Sequence, residues 1–493
     1  MLITAKLLLQ YHRCRRKTFL DIHGDLSQRD APSELLLKLR QDKSAHQQTI
    51  LAQQPYQQPE YPKGNWAAGA TATLELMQQG VECIHKGVLL ANSSEEITLL
   101  SCPDLLVKQP GRSWFGDWIY VPAQIELGKR PKLEYQVVAA FHAQVLATVQ
   151  GVQPDIAWLL LRRKDAYQVS LAKWMPQMQN SLEECIQTLV SPQPPEVFIS
   201  RQRCSLCRWF NQCYAIAKSQ QHLSLLPGVS PNRYIQLQNL NIITLESLAQ
   251  ARPAELENLP GFDSKVAQQL VLQAQSVVEN RPILLRGNAD PIQTNTPSTL
   301  SSTAPVELYF DIEAQPDLNL DYMLGVLVVD HQAQTKTFHS LLAERPEEEE
   351  LIWQQFLDLV GQYPLAPIFH FCAYELDTVK RLAKLYNTPT ERIQPLLERF
   401  VDVYEKVTQT VTLPVESYAL KAIARWLGFE WRDPQANGSK CIYWYDQWLE
   451  TGDHTFLNSI QCYNEDDCRA THHVKDWLIN FVDAYPLSCR KLA

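Results

Sequence analysis

Four carboxylates in the last third of the chain constrain its fold more than any other feature. They are Asp311 and Glu313 in VELYFDIE, Glu375 in FHFCAYE, and Asp467, four residues after Tyr463, in CYNEDDC. Residues i and i+2 of a strand face the same way, so Asp311 and Glu313 share one side of a sheet. Residues i and i+4 of a helix are neighbours, so Tyr463 reaches whatever Asp467 coordinates. A chain that unites these groups has to bring a strand, a strand-to-helix corner and a late helix to one point. Hard cations such as Mg2+ or Mn2+ want oxygen ligands, and paired ions clamp the attacking and leaving oxygens of an in-line phosphodiester displacement. The set therefore suits two divalent ions. Acidic residues at strand ends are mostly solvated, and YxxxD on a helix is common. The reading rests on their order and on the apolar strand ahead of each of the first two.

From residue 306 the pattern is strand, hairpin strand MLGVLVVD, strand TKTFHSLL, helix EEEELIWQQFLDLV, strand APIFHF, then several helices. This order resembles the DEDD exonucleases of the RNase H-like fold, in particular the YprB-like group, tyrosine subtype. The resemblance implies that Asp311, Glu313, Glu375 and Asp467 bind Mg2+ or Mn2+, that Glu313 also meets the terminal nucleotide, and that Tyr463 positions the attacking water. A phenol of ordinary pKa near 10 is better suited to orienting that water than to deprotonating it. The family usually has aspartate where this chain has Glu375; the longer side chain reaches a metal from a backbone set farther back. His370 and Tyr374 flank the corner, Asp402 is a further acid or a helix cap, and Asp466 points elsewhere on its helix. In SYALKAIARWLGFEW, Leu420, Ile423 and Leu427 form a core stripe, with Lys421 a phosphate contact at most.

A chain of 493 residues implies two or three domains. The expected divisions are residues 1–218, a helical module at 219–290, a Ser/Thr/Pro-rich linker PIQTNTPSTLSSTAP at 291–305, and 306–493. A net charge of -9 means that affinity for DNA has to come from local patches. No run approaches the roughly 18 apolar residues of a membrane helix, and the amino terminus lacks a signal-peptide layout, so a cytoplasmic protein without membrane association is expected. Twelve cysteines in a reducing compartment are not a disulfide framework; clustered ones ask for a metal or cluster. In the helical module, LLPGVSPNRYIQLQNLNI and NLPGFDSKVAQQLVLQAQ repeat a Leu-Pro-Gly turn before an amphipathic helix. The pair resembles helix-hairpin-helix modules that offer backbone N–H groups to a DNA phosphate, with Arg233 and Lys265 the nearby cations; a plain packing domain is the alternative.

Cys204, Cys207 and Cys213 in CSLCRWFNQC, with Cys14 in YHRCRRKTF, can close a four-thiolate zinc site or hold an iron-sulfur cluster. One cysteine near the amino terminus, a mixed α and β core, then this triplet resembles the iron-sulfur RecB-like nucleases. In them the four cysteines bind a [4Fe-4S] cluster that staples the domain ends together. Zinc or free buried thiols are the alternatives. The same resemblance implies a PD-(D/E)xK core of restriction-endonuclease type, with His46 on an early helix, Asp104 after Pro103, and the third motif at Gln124-Ile125-Glu126. Gln124 is a poor ligand for a hard cation and no lysine follows in the usual place, so a weakened or lost nuclease site is expected; in an active one Glu126 serves as the missing acid, with Lys129 reaching in from the turn. Gln136, Tyr135 and Phe141 fall on the next helix, where the family keeps a glutamine and an aromatic. Arg13, Arg15, Arg16, Arg203 and Arg208 flank the cysteines and converge on one phosphate-binding patch if a cluster joins the ends.

The whole chain thus resembles a RecB-like nuclease family: an iron-sulfur PD-(D/E)xK-type domain, a helix-hairpin-helix-like module and a YprB-like RNase H-like domain, an α/β multidomain architecture. It implies a metal-dependent 3'-to-5' exonuclease on nucleic acid, DNA before RNA. With no GxxxxGK[ST] loop, any unwinding motor is a helicase partner. Two alternatives stand: a non-catalytic nucleic-acid-binding subunit of a repair or defence complex, or cleavage by the amino-terminal site.

Overall fold

The computed structural model describes residues 1–94, 96–162, 165–285 and 304–484. The linker expected at 291–305 lies, except for Ala304 and Pro305, outside the described residues. The chain divides into two compact units, Met1–Ile216 and Ala217–Ala493, and the helical module falls in the second.

In the first unit, the run EEITLLSCPDLLV breaks at Cys102-Pro103-Asp104 into β4 (Thr98–Ser101) and β5 (Leu105–Ser113). Proline has no N–H to give to a ladder. With β1 (Leu2–Thr4) and β3 (Leu89–Asn92), β4 makes a small sheet in the order β1-β4-β3. A larger sheet has the order β2-β5-β6-β7-β8, with β2 at Cys83–His85, β6 at Gly116–Glu126, β7 at Ile156–Leu161 and β8 at Tyr167–Ser170. β5 and β6 are an antiparallel hairpin, whereas β6 and β7 are parallel and need the crossover helix Leu133–Gln150. Apolar residues surround that helix, and Tyr135 through Ala143 are all buried, as expected of a core helix. Its end is fixed by Gln150, whose Oε1 accepts the Tyr120 N–H at 2.8 Å and whose Nε2 donates to the Tyr120 carbonyl at 3.2 Å.

The second unit opens with the helices Pro231–Asn239, Leu245–Ala249, Pro253–Leu256 and Ser264–Glu279. Both Leu-Pro-Gly turns end on a left-handed glycine, Gly228 at φ +88° and Gly261 at φ +84°, two residues before an N-cap, Ser230 or Asp263. Arg233 joins the turns: its Nε donates to the Gly261 carbonyl and its guanidinium NH1 to that of Gly228, both at 2.8 Å. The fourth helix docks through Gln273, whose Nε2 donates to Leu413 O at 2.7 Å and whose Oε1 accepts the Tyr418 hydroxyl at 2.9 Å. Beside it β9 (Ile283–Leu284) pairs with β15 (Val411–Thr412).

The C-terminal sheet has the order β12-β11-β10-β13-β14. β10 (Val306–Gln315), β11 (Leu320–Asp330) and β12 (Thr335–Leu342) form an antiparallel meander; β13 (Ile368–His370) runs parallel to β10, and β14 (Phe400–Asp402) parallel to β13. Along β10, Leu308, Phe310 and Ile312 face a core with Trp353 and Phe356, each worth about 1.5–3 kcal/mol of burial. Tyr309 faces a second core with Val403, Ile423 and Val474. Period two then puts Asp311 and Glu313 on the Tyr309 side, under the long helix His454–Ala484. Among the described residues, no helix is long and apolar enough to cross a membrane.

Candidate metal centre

Asp311, Glu313 and Asp467 each present a ligand atom within 4.8 Å of the others, and among the described residues no other group of three His, Cys, Asp or Glu side chains does so. Asp311 pairs across the sheet with Gly325, and a register shift follows Glu313, a bulge that re-aims its end of the strand. The long helix crosses very close here. A Cβ on Gly325 would lie 1.6 Å from Asn464 Oδ1, so glycine is required. The close crossing lets Asn464 Nδ2 donate to Asp311 Oδ2 at 2.7 Å, while Trp431 Nε1 donates to Asp467 Oδ1 at 2.7 Å. Two carboxylates are thus each held through one oxygen by a neutral donor.

Among the described residues, no ammonium or guanidinium is bonded to the three carboxylates. Burial first, and then the neighbouring carboxylates, push Asp311 and Glu313 well above the usual carboxylate range. Burial raises Asp467 to about 7, against hydrogen bonds from Trp431 and Tyr463 that favour its charged form. Burial and the same three acids hold the Tyr463 phenol far above its ordinary pKa. Hard oxygen donors, buried together and repelling one another, fit a divalent cation.

Glu375 is buried in the first turn of the helix Tyr374–Leu385 but lies outside the 4.8 Å group. Burial raises its carboxyl, with His370 Nδ1 3.5 Å away. That nitrogen is 2.6 Å from the Cys372 carbonyl, which can only accept, so it carries the proton. Cys372 has φ +82°, and its N–H donates to Asp402 Oδ1 at 3.0 Å. Asp402 is also the N-cap of the helix Val403–Thr410, so it is a structural acid. Tyr374 donates to Asp321 at 3.1 Å, and Asp466 accepts from Arg432 Nε at 2.8 Å, turned away from Asp467's partners. Lys421 Nζ lies over the rings of Trp431 and Tyr463, at 5.2 and 5.8 Å.

In the first unit, Asp104, just before β5, and Glu126, at the end of β6, are buried. The cation on Glu126 is Lys43 Nζ, at 3.1 Å, from the helix Glu34–Leu51; Lys129, expected there, is exposed at the turn. His46 is on that helix too, with its Nε2 buried and without a partner, as is Gln124 Oε1. Gln136, Tyr135 and Phe141 are packed into the core, Gln136 donating to Pro131 O at 3.1 Å.

Cys14, Cys204, Cys207 and Cys213 are near enough that Cys14 raises the pKa of each of the other three, after burial. Cys14 Sγ accepts the Lys17 N–H and Cys204 Sγ the Ser200 N–H, both at 3.3 Å. The thiols do not close to within 4.8 Å as a group. The arginines around them are largely engaged within the protein. Arg15 pairs with Glu184 at 2.6 Å, Arg13 with Glu134 at 3.6 Å, Arg16 donates to Pro195 O at 2.6 Å, Arg203 to Arg13 O at 3.2 Å and Arg208 to Asp30 O at 2.8 Å. Arg233 is likewise committed to its two turns, whereas Lys265 is exposed.

Asn464, Trp431 and Gly325 are the site residues that sequence reasoning missed. A lone glycine inside an apolar strand is a signal of close backbone approach, and Gly325 was legible on that ground. Residues 308–479 match the family described as the RNase_H superfamily, a match that spans β10, the β13 corner and the helix bearing Asp467. No curated protein matches the chain. The C-terminal domain is RNase H-like.

Proposed function

We propose that the protein is a metal-dependent nuclease whose C-terminal domain hydrolyses phosphodiester bonds, as a 3'-to-5' exonuclease. The observation that carries this reading is the buried trio Asp311, Glu313 and Asp467 without a bonded cation, on an RNase H-like scaffold. Mg2+ or Mn2+ held by these oxygens supplies the positive charge that activates water and offsets the charge of the transition state. The chain's own residues do the positioning. Asn464 holds Asp311 Oδ2 and leaves Oδ1 to face the centre; Trp431 does the same for Asp467 through Oδ1. Tyr463, hydrogen-bonded to Asp467 and with its pKa far above neutrality, stays protonated and orients the attacking water rather than deprotonating it. Glu375 and His370 line the corner toward the terminal nucleotide.

The first unit acts in this reading as a nucleic-acid-binding body stapled by a [4Fe-4S] cluster, with zinc the alternative. N–H···S bonds to Cys14 and Cys204 support thiolate ligands. DNA is the preferred substrate, a helicase the expected partner and the cytoplasm the expected compartment, all on the family resemblance.

The test is cleavage of 3'-labelled and 5'-labelled single-stranded DNA by anaerobically purified protein with Mg2+ or Mn2+, beside Asp311→Ala. Stepwise loss from the 3' end, abolished by the substitution, is expected. Cleavage that survives it places the activity elsewhere, and no cleavage by either protein favours a binding subunit.

A further inference from the structure

We propose that a lysine ammonium takes the place of a divalent ion in the first unit: Lys43 neutralises the Asp104–Glu126 pair, so this pocket binds no metal and cuts nothing. The RecB-like resemblance implies a metal there, and the residues present do not fit one. Lys43 Nζ is 3.1 Å from Glu126 Oε2. Both oxygens of Asp104 are already used: Oδ1 accepts from Gln47 Nε2 at 2.9 Å, and Oδ2 from the Ile125 N–H at 2.7 Å. Lys43, His46 and Gln47 stand at i, i+3 and i+4, one face of the helix Glu34–Leu51, so a single helix delivers both the ammonium and the amide to the two acids. Burial pushes both the Asp104 and the Glu126 carboxyl up, and the Lys43 ammonium opposes that by favouring the charged form of each.

Lys86 also lies close enough to favour ionised Asp104 against the burial that raises it. Gln124 stands two residues before Glu126 on β6, where the resemblance asks for a carboxylate, and its Oε1, like His46 Nε2, is buried without a hydrogen-bond partner among the described residues. Besides the second oxygen of Glu126, these two atoms are the donors left for an ion, and neither adds negative charge. A divalent ion entering here has to displace Lys43 from Glu126 and share the Asp104 oxygens with the Gln47 and Ile125 donors. The C-terminal trio asks for no such exchange.

Mn2+ binding to the full chain tests this, read by electron paramagnetic resonance and by the shift in unfolding temperature. The background is Asp311→Ala/Asp467→Ala, which removes two of the three clustered C-terminal carboxylates. Expected is no bound Mn2+ in that background, one Mn2+ per chain gained on adding Lys43→Ala or the bulkier Lys43→Met, and none with Lys43→Arg. The gained ion should disappear again with Asp104→Ala. Two results overturn the proposal: a Mn2+ site in the background that Asp104→Ala removes, or no gain from a folded Lys43→Ala or Lys43→Met protein. Circular dichroism without metal establishes folding. Cleavage by the wild-type chain is a separate readout, so failure of the exonuclease reading and failure of this one are distinguishable.

Discussion

The protein carries two sets of buried carboxylates on strands facing a helix, and their difference is in the donors that meet them. In the first unit, Asp104 and Glu126 are met by Gln47, a backbone N–H and the Lys43 ammonium. In the C-terminal domain, Asp311 and Asp467 are met by an amide, an indole and the Tyr463 phenol, all neutral, which leaves the crowded carboxylates without a bonded cation among the described residues. Residue types alone do not distinguish a metal centre from a saturated ion-pair pocket. The distinction lies in whether the protein has already supplied the positive charge.

The largest effect that separates the sets is loss of cleavage. Asp311→Ala should lower the rate by at least ~10³-fold, about 4 kcal/mol of transition-state stabilisation, whereas Asp104→Ala should leave Mg2+-dependent cleavage unchanged. Equal losses from both substitutions would erase the comparison. The neutral donors come next. Trp431→Phe and Asn464→Ala each free a ligand carboxylate, and orienting partners of metal ligands are typically worth 10–100-fold. Gln47→Ala removes the corresponding amide from Asp104 and should not alter cleavage. Initial rates for the three variants at saturating Mg2+ decide the point.

How far these sites were legible follows from the range of the interactions. Period-two alternation located β10 and the shared face of Asp311 and Glu313, and helical spacing set Tyr463 against Asp467. Each signal lies within a few residues. Asn464 reaches Asp311 across 153 positions and Trp431 reaches Asp467 across 36, and no local pattern announces such pairs. Lys129 was the nearest lysine in sequence to Glu126, but the turn exposes it, while Lys43 comes from a helix 83 positions earlier in the chain. The arginines around Cys14 read as a phosphate patch because the sequence hides Glu184, Pro195 and Asp30, which bind them.

A metal dependence of stability should also divide the two sets. Asp467, held at about 7 by burial, favours folding while protonated. In metal-free protein that contribution is complete below the ordinary carboxylate pKa of about 4 and is lost as pH rises through 7, by up to ~1.4 kcal/mol per pH unit. Mg2+ should therefore raise the unfolding temperature of wild type clearly at pH 8 and little at pH 5. Asp311→Ala should lose most of that shift and Asp104→Ala none of it; differential scanning calorimetry with EDTA or Mg2+ gives the answer.

The smallest effect concerns backbone strain, which both sites contain. Cys372 has φ +82° at the corner before Glu375, and Lys86 has φ +50° with its N–H on the Asp104 carbonyl at 3.1 Å. Left-handed backbone costs a non-glycine residue roughly 1–2 kcal/mol, and glycine returns part of that through its larger unfolded-state entropy. Cys372→Gly and Lys86→Gly should each gain at most ~1 kcal/mol in denaturant unfolding. Their effects on cleavage should differ. The Cys372 carbonyl fixes the His370 ring and its N–H ties the corner to Asp402, so a looser corner lets Glu375 drift from the centre and slows cleavage a few-fold. Lys86→Gly loosens only the pocket that Lys43 fills, and cleavage should keep its wild-type rate. A slower Lys86→Gly protein would mean that the first unit contributes to the reaction after all.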